Sequence, residues 1–223
     1  MKLTAHQPTY FPYLGTFSKI AAVDKFCLFD GVPFSRHDYT NRVQIKTYEG
    51  VQWLTVPVEH TGERMLLKDV RIDNSQPWKR KHLRAIQTAY ARAPYFKQYF
   101  PIFETMLQQP HEFLRDLCEV TMLGCLFLLL LGRPWARASN HDFTGEKSSL
   151  VLDMCEKLGA SQYIFGANGR DYADIEAFGK AGILVQFQDY QHPVYPQLHG
   201  EFVKGLSVID ALMNVGPDAA KLL

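Results

Sequence analysis

MKLTAHQPTYFPYLGTFSKIAAVDKFCLFD, residues 1–30, reads as a strand, a polar turn, a helix and a second strand. Residues 3–6 are a short apolar strand. Gln7-Pro8 interrupts it, because proline lacks a backbone donor and pushes the residue before it out of helical geometry. A loop crowded with Tyr10, Phe11, Pro12 and Tyr13 follows. A helix starts near Leu14, and Phe17, Ile20 and Ala21 stand at the i, i+3, i+4 spacing of one buried face. Residues 25–30, KFCLFD, form the next buried strand, so the segment is a βαβ unit whose first strand ends in a polar turn.

The same alternation returns in the last third. Strands are expected at 135–138, 162–165 and 183–187, with helices at 148–158, stopped by Gly159, and at 172–180. Ser207 and Asp210 have capping-box spacing at the start of a last helix. Between the two alternating regions lies a small β insertion at 31–72, with strand pieces at 43–47, 52–56 and 68–72 separated by turns such as Glu49-Gly50 and Thr61-Gly62. A helical block over 75–131 follows, opened by Asn74 or Ser75 as cap with Pro77 in the first turn. The expectation is one α/β domain over 1–223, with a mostly parallel, Rossmann-like sheet flanked by helices.

With 47% hydrophobic and 21% charged residues, the chain can bury a large core. A net charge of +1 supplies no field that gathers polyanions, which counts against nucleic-acid binding unless a local patch carries it. Cys27, Cys118, Cys125 and Cys155 lie in apolar stretches without CxxC spacing or a secretory signal, which reads as reduced, buried thiols in the cytoplasm. The apolar run 120–131 is too short to span a membrane, which needs about twenty residues, so it is expected to be a helix buried on all sides.

In open α/β sheets ligands sit beyond the carboxyl ends of the strands. The turn after the first strand holds His6 and Gln7, followed by Lys19. His6 is a candidate proton donor or phosphate ligand, and the amides opening the next helix suit an anion. Ser35, Arg36, Asn41, Arg42 and Lys46 follow in an aromatic stretch. On a strand Arg42 and Lys46 share one face, a pair of cations able to converge on one anion. In residues 163–172, Gly166 and Gly169 let the backbone approach a ligand, with Arg170, Asp171 and Tyr172 beside them. Residues 190–197 put His192, Tyr195 and Gln197 in a proline-stiffened loop. For each segment the plain alternative is a turn or loop that only packs. Residues 78–84, WKRKHLR, crowd cations at a helix start, where a wet surface face is the commoner explanation.

HExxH, GxSxG, GxxxxGK[ST] and paired CxxC motifs are absent, and the eight histidines lack i, i+4 pairs, so no preformed metal site is expected. The strings HQPxYxPxLGxFxKI (6–20), NRxxIK (41–46), QWLTVPV (52–58), YxxGxxGRDY (163–172), YxHPVYPQ (190–197) and SVIDALMNVG (207–216) together resemble the WbqC-like protein family. That family takes its name from a member encoded among genes for bacterial surface-polysaccharide (O-antigen) synthesis. The resemblance implies a bacterial cytoplasmic enzyme acting on activated sugars or their modifying groups.

The resulting expectation is a transferase or ligase that adds a small group to a nucleotide-activated amino sugar or related sugar. In it His6 bears a proton or binds phosphate, and Asp171 or His192 serves as base. Arg42, Lys46 and Arg170 neutralise phosphate, joined at the site by Gln7, Lys19, Trp53, Gly166, Gly169, Tyr172, Tyr195 and Gln197. No cofactor is read from the sequence; a nucleotide with Mg2+ is the one candidate raised. Two rivals remain: a non-catalytic protein that binds sugar by stacking on Tyr10, Trp53 or Tyr195, and nucleic-acid binding through residues 79–84.

Overall fold

The computed structural model describes residues 1–35, 38–60 and 65–223. Arg36 and the turn at 61–62 fall outside the described residues. β1 (Lys2–His6) lies at the centre of a five-stranded sheet with β2 (Lys25–Leu28) on one side and β6 (Gln162–Phe165) on the other. β5 (Trp135–Arg137) and β7 (Leu184–Phe187) form the two edges, and every pairing is parallel. The chain therefore starts at the centre, winds out to β5, returns to the centre at β6 and winds out to β7, which is the doubly wound order.

Right-handed crossovers place successive connections on opposite faces once the winding reverses. α1 (Leu14–Ala21) and the helical block α2 (Trp78–Tyr90), α3 (Phe96–Gln108) and α4 (Leu114–Leu128) bury one core, with Phe17, Ile86, Phe103 and Leu117. α5 (Lys147–Leu158) and α6 (Ile175–Lys180) bury the other, with Leu3, Cys27, Met154 and Phe178. All four cysteines are buried and unpaired.

The insertion is an antiparallel hairpin, β3 (Arg42–Thr47) and β4 (Gly50–Thr55), in register from Arg42↔Thr55 to Thr47↔Gly50. The last helix, α7 (Val208–Val215), packs against α3 and β3. Its approach is fixed by Ser207 N donating to Gln44 O and Val208 N donating to Pro12 O, both at 2.9 Å.

Several local expectations are corrected. Residues 68–72 are not a strand: a 3-10 turn over Leu67–Asp69 precedes the isolated bridges Val58↔Ile72 and Arg71↔Phe113. The reason is where the backbone donors go, since Leu67 N and Lys68 N reach Val32 O and Asp30 O beyond the end of β2. α2 has Pro77 as its cap and no side-chain cap; Asn74 instead donates to His111 O and accepts from the Trp78 indole. The helix expected at 172–180 is a 3-10 turn over Ala167–Asp171 followed by α6, which Asp174 caps by accepting from Ala177 N. The apolar run 120–131 is not buried all round, because Phe127 and Leu130 are 78% and 81% exposed. Among the described residues no helix is long and apolar enough to cross a membrane.

Candidate functional site

β1 and β2 stay paired as far as His6↔Leu28, whereas β1 and β6 pair only at Lys2↔Gln162 and Leu3↔Tyr163. Beyond that point side chains bridge the gap: Thr4 Oγ1 donates to Ile164 O at 2.7 Å, and Ala5 N donates to Tyr163 Oη at 3.1 Å. The parting of these strands is the switch point of the sheet, where α/β folds hold ligands. A cavity of about 590 Å3 opens there, within the size range of small-molecule sites. His6, Gln7, Lys19, Arg42, Gly166, Gly169 and Tyr172 all line it, so one wall gathers residues from four separate pieces of the chain.

Lys19 is the charged group deepest in this wall. Its neighbours Phe17 and Ile20 turn into the core, and Lys19 is left pointing at the strand end, where Nζ donates to Ala5 O at 3.0 Å. Burial lowers its pKa to about 8. Among the described residues no carboxylate lies within ion-pair distance of it. A Cβ at Gly166 would stand 3.8 Å from Nζ, so the glycine leaves the ammonium uncovered on that side. Gly169 is constrained differently: a Cβ there would fall 2.5 Å from the Phe165 Cβ, which only glycine avoids.

His6 Nδ1 stands 2.8 Å from Gln7 O, and a carbonyl can only accept, so Nδ1 carries the proton. Nε2 then bears the lone pair, with the Thr16 hydroxyl 3.3 Å away as donor. Burial, followed by the charge of Lys19, lowers the His6 pKa to about 3, so the ring is neutral at physiological pH. It offers an acceptor at Nε2 and has no acidic proton of the imidazolium kind to give.

The mouth is aromatic. The Arg42 guanidinium lies 4.5 Å over the Trp53 ring, and Tyr39 stands 5.4 Å from that ring. Tyr13, Tyr39 and Tyr172 line the cavity while 40%, 52% and 44% exposed, which makes them platforms for a planar or sugar ring. Among the described residues no group of three histidine, cysteine or acidic side chains could hold a metal. A magnesium ion carried in on phosphate would meet one carboxylate in the described wall, Asp38.

The remaining sequence candidates lie elsewhere. Lys46 shares a face of β3 with Arg42, but four residues along a strand is about 13 Å. Its Nζ is buried and donates to Gln197 Oε1 and Gly200 O at 3.3 Å and to Glu201 O. Gln197 also exchanges two 2.9 Å bonds with the Val203 backbone. Tyr195 Oη donates to Asp210 Oδ2 and Tyr90 Oη to Asp210 Oδ1, both at 2.9 Å, and Tyr90 Oη accepts from Lys46 N. His192 packs against Tyr190, Tyr195 and Phe202, with Nδ1 donating to Pro193 O. Asp171 is exposed at the end of its 3-10 turn, and the Arg170 guanidinium lies 4.8 Å over Phe187, facing a different groove.

The WbqC-like protein family model matches residues 7–222. The chain belongs to that family. It is also 30% identical over 228 residues to an uncharacterized protein of Mycobacterium tuberculosis, Rv1507c, with 100% of this chain and 97% of that one covered.

In this WbqC-like chain the strings read from the sequence divide into two sets. HQPxYxPxLGxFxKI, Arg42 and YxxGxxGRDY border the cavity. YxHPVYPQ, Lys46 and SVIDALMNVG build a buried polar lock that fastens the C-terminal segment to β3. Sequence reasoning missed Asp210 as a member of that lock, assigning it to a helix cap. Ser207 alone caps α7, while Asp210 is fully buried. A lone carboxylate inside VIDALMNV was the available signal, since a charge within an apolar helix must find internal partners. Also missed were Thr16, which holds His6, and His82, which accepts from Tyr10 Oη at 2.9 Å under the loop after β1.

Proposed function

We propose that this WbqC-like protein binds a nucleotide-activated sugar in the switch-point cavity and transfers or ligates a small group to it, in the cytoplasm, during bacterial surface-polysaccharide synthesis. The observation that carries the reading is the buried Lys19 ammonium at the parting of β1 and β6, with no carboxylate in ion-pair distance among the described residues and Arg42 in the same wall. Cations held in a low-dielectric cavity suit diphosphate, and the aromatic mouth suits a base or sugar ring.

In this reading Lys19 and Arg42 bind the phosphates and stabilise charge developing there. His6 Nε2, oriented by the Nδ1–H bond to Gln7, accepts a proton or hydrogen bond from the attacking group. Tyr172 and the backbone after Gly166 close the wall. The proton-bearing role for His6 is dropped, because a ring with a pKa of about 3 is not protonated near pH 7.

Calorimetric titration with nucleoside diphosphates and nucleotide-sugars tests the reading. Binding that weakens at least tenfold in Arg42→Ala is expected, and no heat from any of them at millimolar concentration would reject it. A binding protein without catalysis is the second reading, favoured by the lowered basicity of His6. Turnover that survives His6→Ala while affinity drops would select it.

A further inference from the structure

Lys19 belongs to two hollows. Besides the switch-point cavity it lines a shallower groove of about 540 Å3 on the other side of α1, together with Ser18, Arg170, Phe187, Gln188 and Asp189. The groove lies where β6 and β7 run out beneath α1. Gln188 fixes its upper edge, donating from Nε2 to Gly15 O at 2.7 Å. The Arg170 guanidinium rests on the Phe187 ring at 4.8 Å, which holds its plane and leaves the N–H fork for another partner. Among the described residues Arg170 has no ion pair, although Asp189 borders the same groove.

We infer that Lys19 is shared by two substrate subsites, and that the groove on its Arg170 side binds a small monocarboxylate as the second substrate of the transfer. This rests on the reading of the cavity as the nucleotide-sugar site. The charge inventory selects a monoanion: two cations, Arg170 and Lys19, against one carboxylate, Asp189, leave one positive charge, too little for a polyphosphate. A planar fork stacked on a ring is matched by the two oxygens of a carboxylate. Because the Lys19 amine borders both hollows, a carboxylate in the groove and a sugar in the cavity would meet at one point. Such a meeting is what transfer of an acyl group onto an amino sugar requires.

The experiment is pulsed reductive methylation of the whole protein with formaldehyde, the modification of Lys19 being read by peptide mass spectrometry. Sodium acetate and uridine diphosphate serve as separate protectants of the parent chain, Arg170→Ala and Arg42→Ala. The expected result is that acetate slows Lys19 methylation severalfold in the parent and in Arg42→Ala, and not in Arg170→Ala. Acetate that gives no protection at its highest usable concentration, or protects Arg170→Ala as well as the parent, overturns the inference. Uridine diphosphate reports on the cavity alone. If it fails while acetate protects, the nucleotide reading falls and the carboxylate groove stands. If it protects through Arg42 while acetate fails, the groove falls and the nucleotide reading stands.

Discussion

Lys19 Nζ donates to Ala5 O at 3.0 Å, at the strand end where β1 parts from β6. A lysine in this position is held below its ordinary pKa of 10.5, at about 8, because burial disfavours the charged form. Between those values the unfolded chain binds more protons than the folded one, so this group makes stability rise with pH from about 8 to 10.5. Lys19→Met should therefore be more stable than the parent at pH 7, by on the order of 1 kcal/mol or more, as one pKa unit is about 1.4 kcal/mol. The advantage should shrink by pH 10. Urea unfolding at both pH values measures it, and a constant gap would contradict the account.

Two neutral histidines set the acid limit. His82 Nε2 donates to Thr55 O and its Nδ1 accepts from Tyr10 Oη, and burial lowers its pKa to about 4; His6 is lowered to about 3. Both folded values lie below the ordinary 6.5, so stability is full above pH 6.5 and is lost as pH falls toward 4. Each such proton contributes a slope of up to about 1.4 kcal/mol per pH unit. His82→Gln should flatten the fall by about one proton. An unchanged slope would show that His82 titrates normally in the folded protein.

The lock around Asp210 should matter for stability and leave the cavity alone. Tyr90→Phe removes a donor to the buried carboxylate and the acceptor of Lys46 N, an unsatisfied pair costing about 1–3 kcal/mol. The midpoint of denaturant unfolding should drop accordingly, with nucleotide affinity unchanged. A loss of affinity with no loss of stability would place Tyr90 in the binding site instead.

Gly166 and Gly169 should respond oppositely to alanine. At Gly169 the new Cβ meets the Phe165 side chain at 2.5 Å, where overpacking costs about 1–3 kcal/mol. At Gly166 it meets Lys19 Nζ at 3.8 Å, an ordinary contact, with a backbone at φ -68° that alanine adopts freely. Thermal melts should show a lower Tm for Gly169→Ala and none for Gly166→Ala, whose effect falls on ligand affinity.

The alternation of strand and helix at both ends was legible because buried parallel strands are short apolar runs and their helices repeat every 3.6 residues. The first-strand turn, Lys19, Arg42 and the GxxG loop were legible as site pieces because residues at carboxyl ends of strands are set by the winding order. Lys46, Tyr195, Gln197 and His192 had the same polar and aromatic signature, yet they face the interior beside Asp210 and Tyr90. Arg170 shows the limit over a single residue: it follows Gly169 directly, but the 3-10 turn carries it onto Phe187 and into the other groove.

Periodicity and turn chemistry are local, so residue order alone established the α/β alternation, the hairpin between its halves and the identity of the polar segments. Which of those segments faces a ligand and which a buried partner depends on side chains separated by up to 160 positions, such as Thr4 and Ile164. That pairing follows from how the two halves of the sheet meet. The site exists because β1 and β6 part after two residue pairs, and no pattern within either strand encodes the parting.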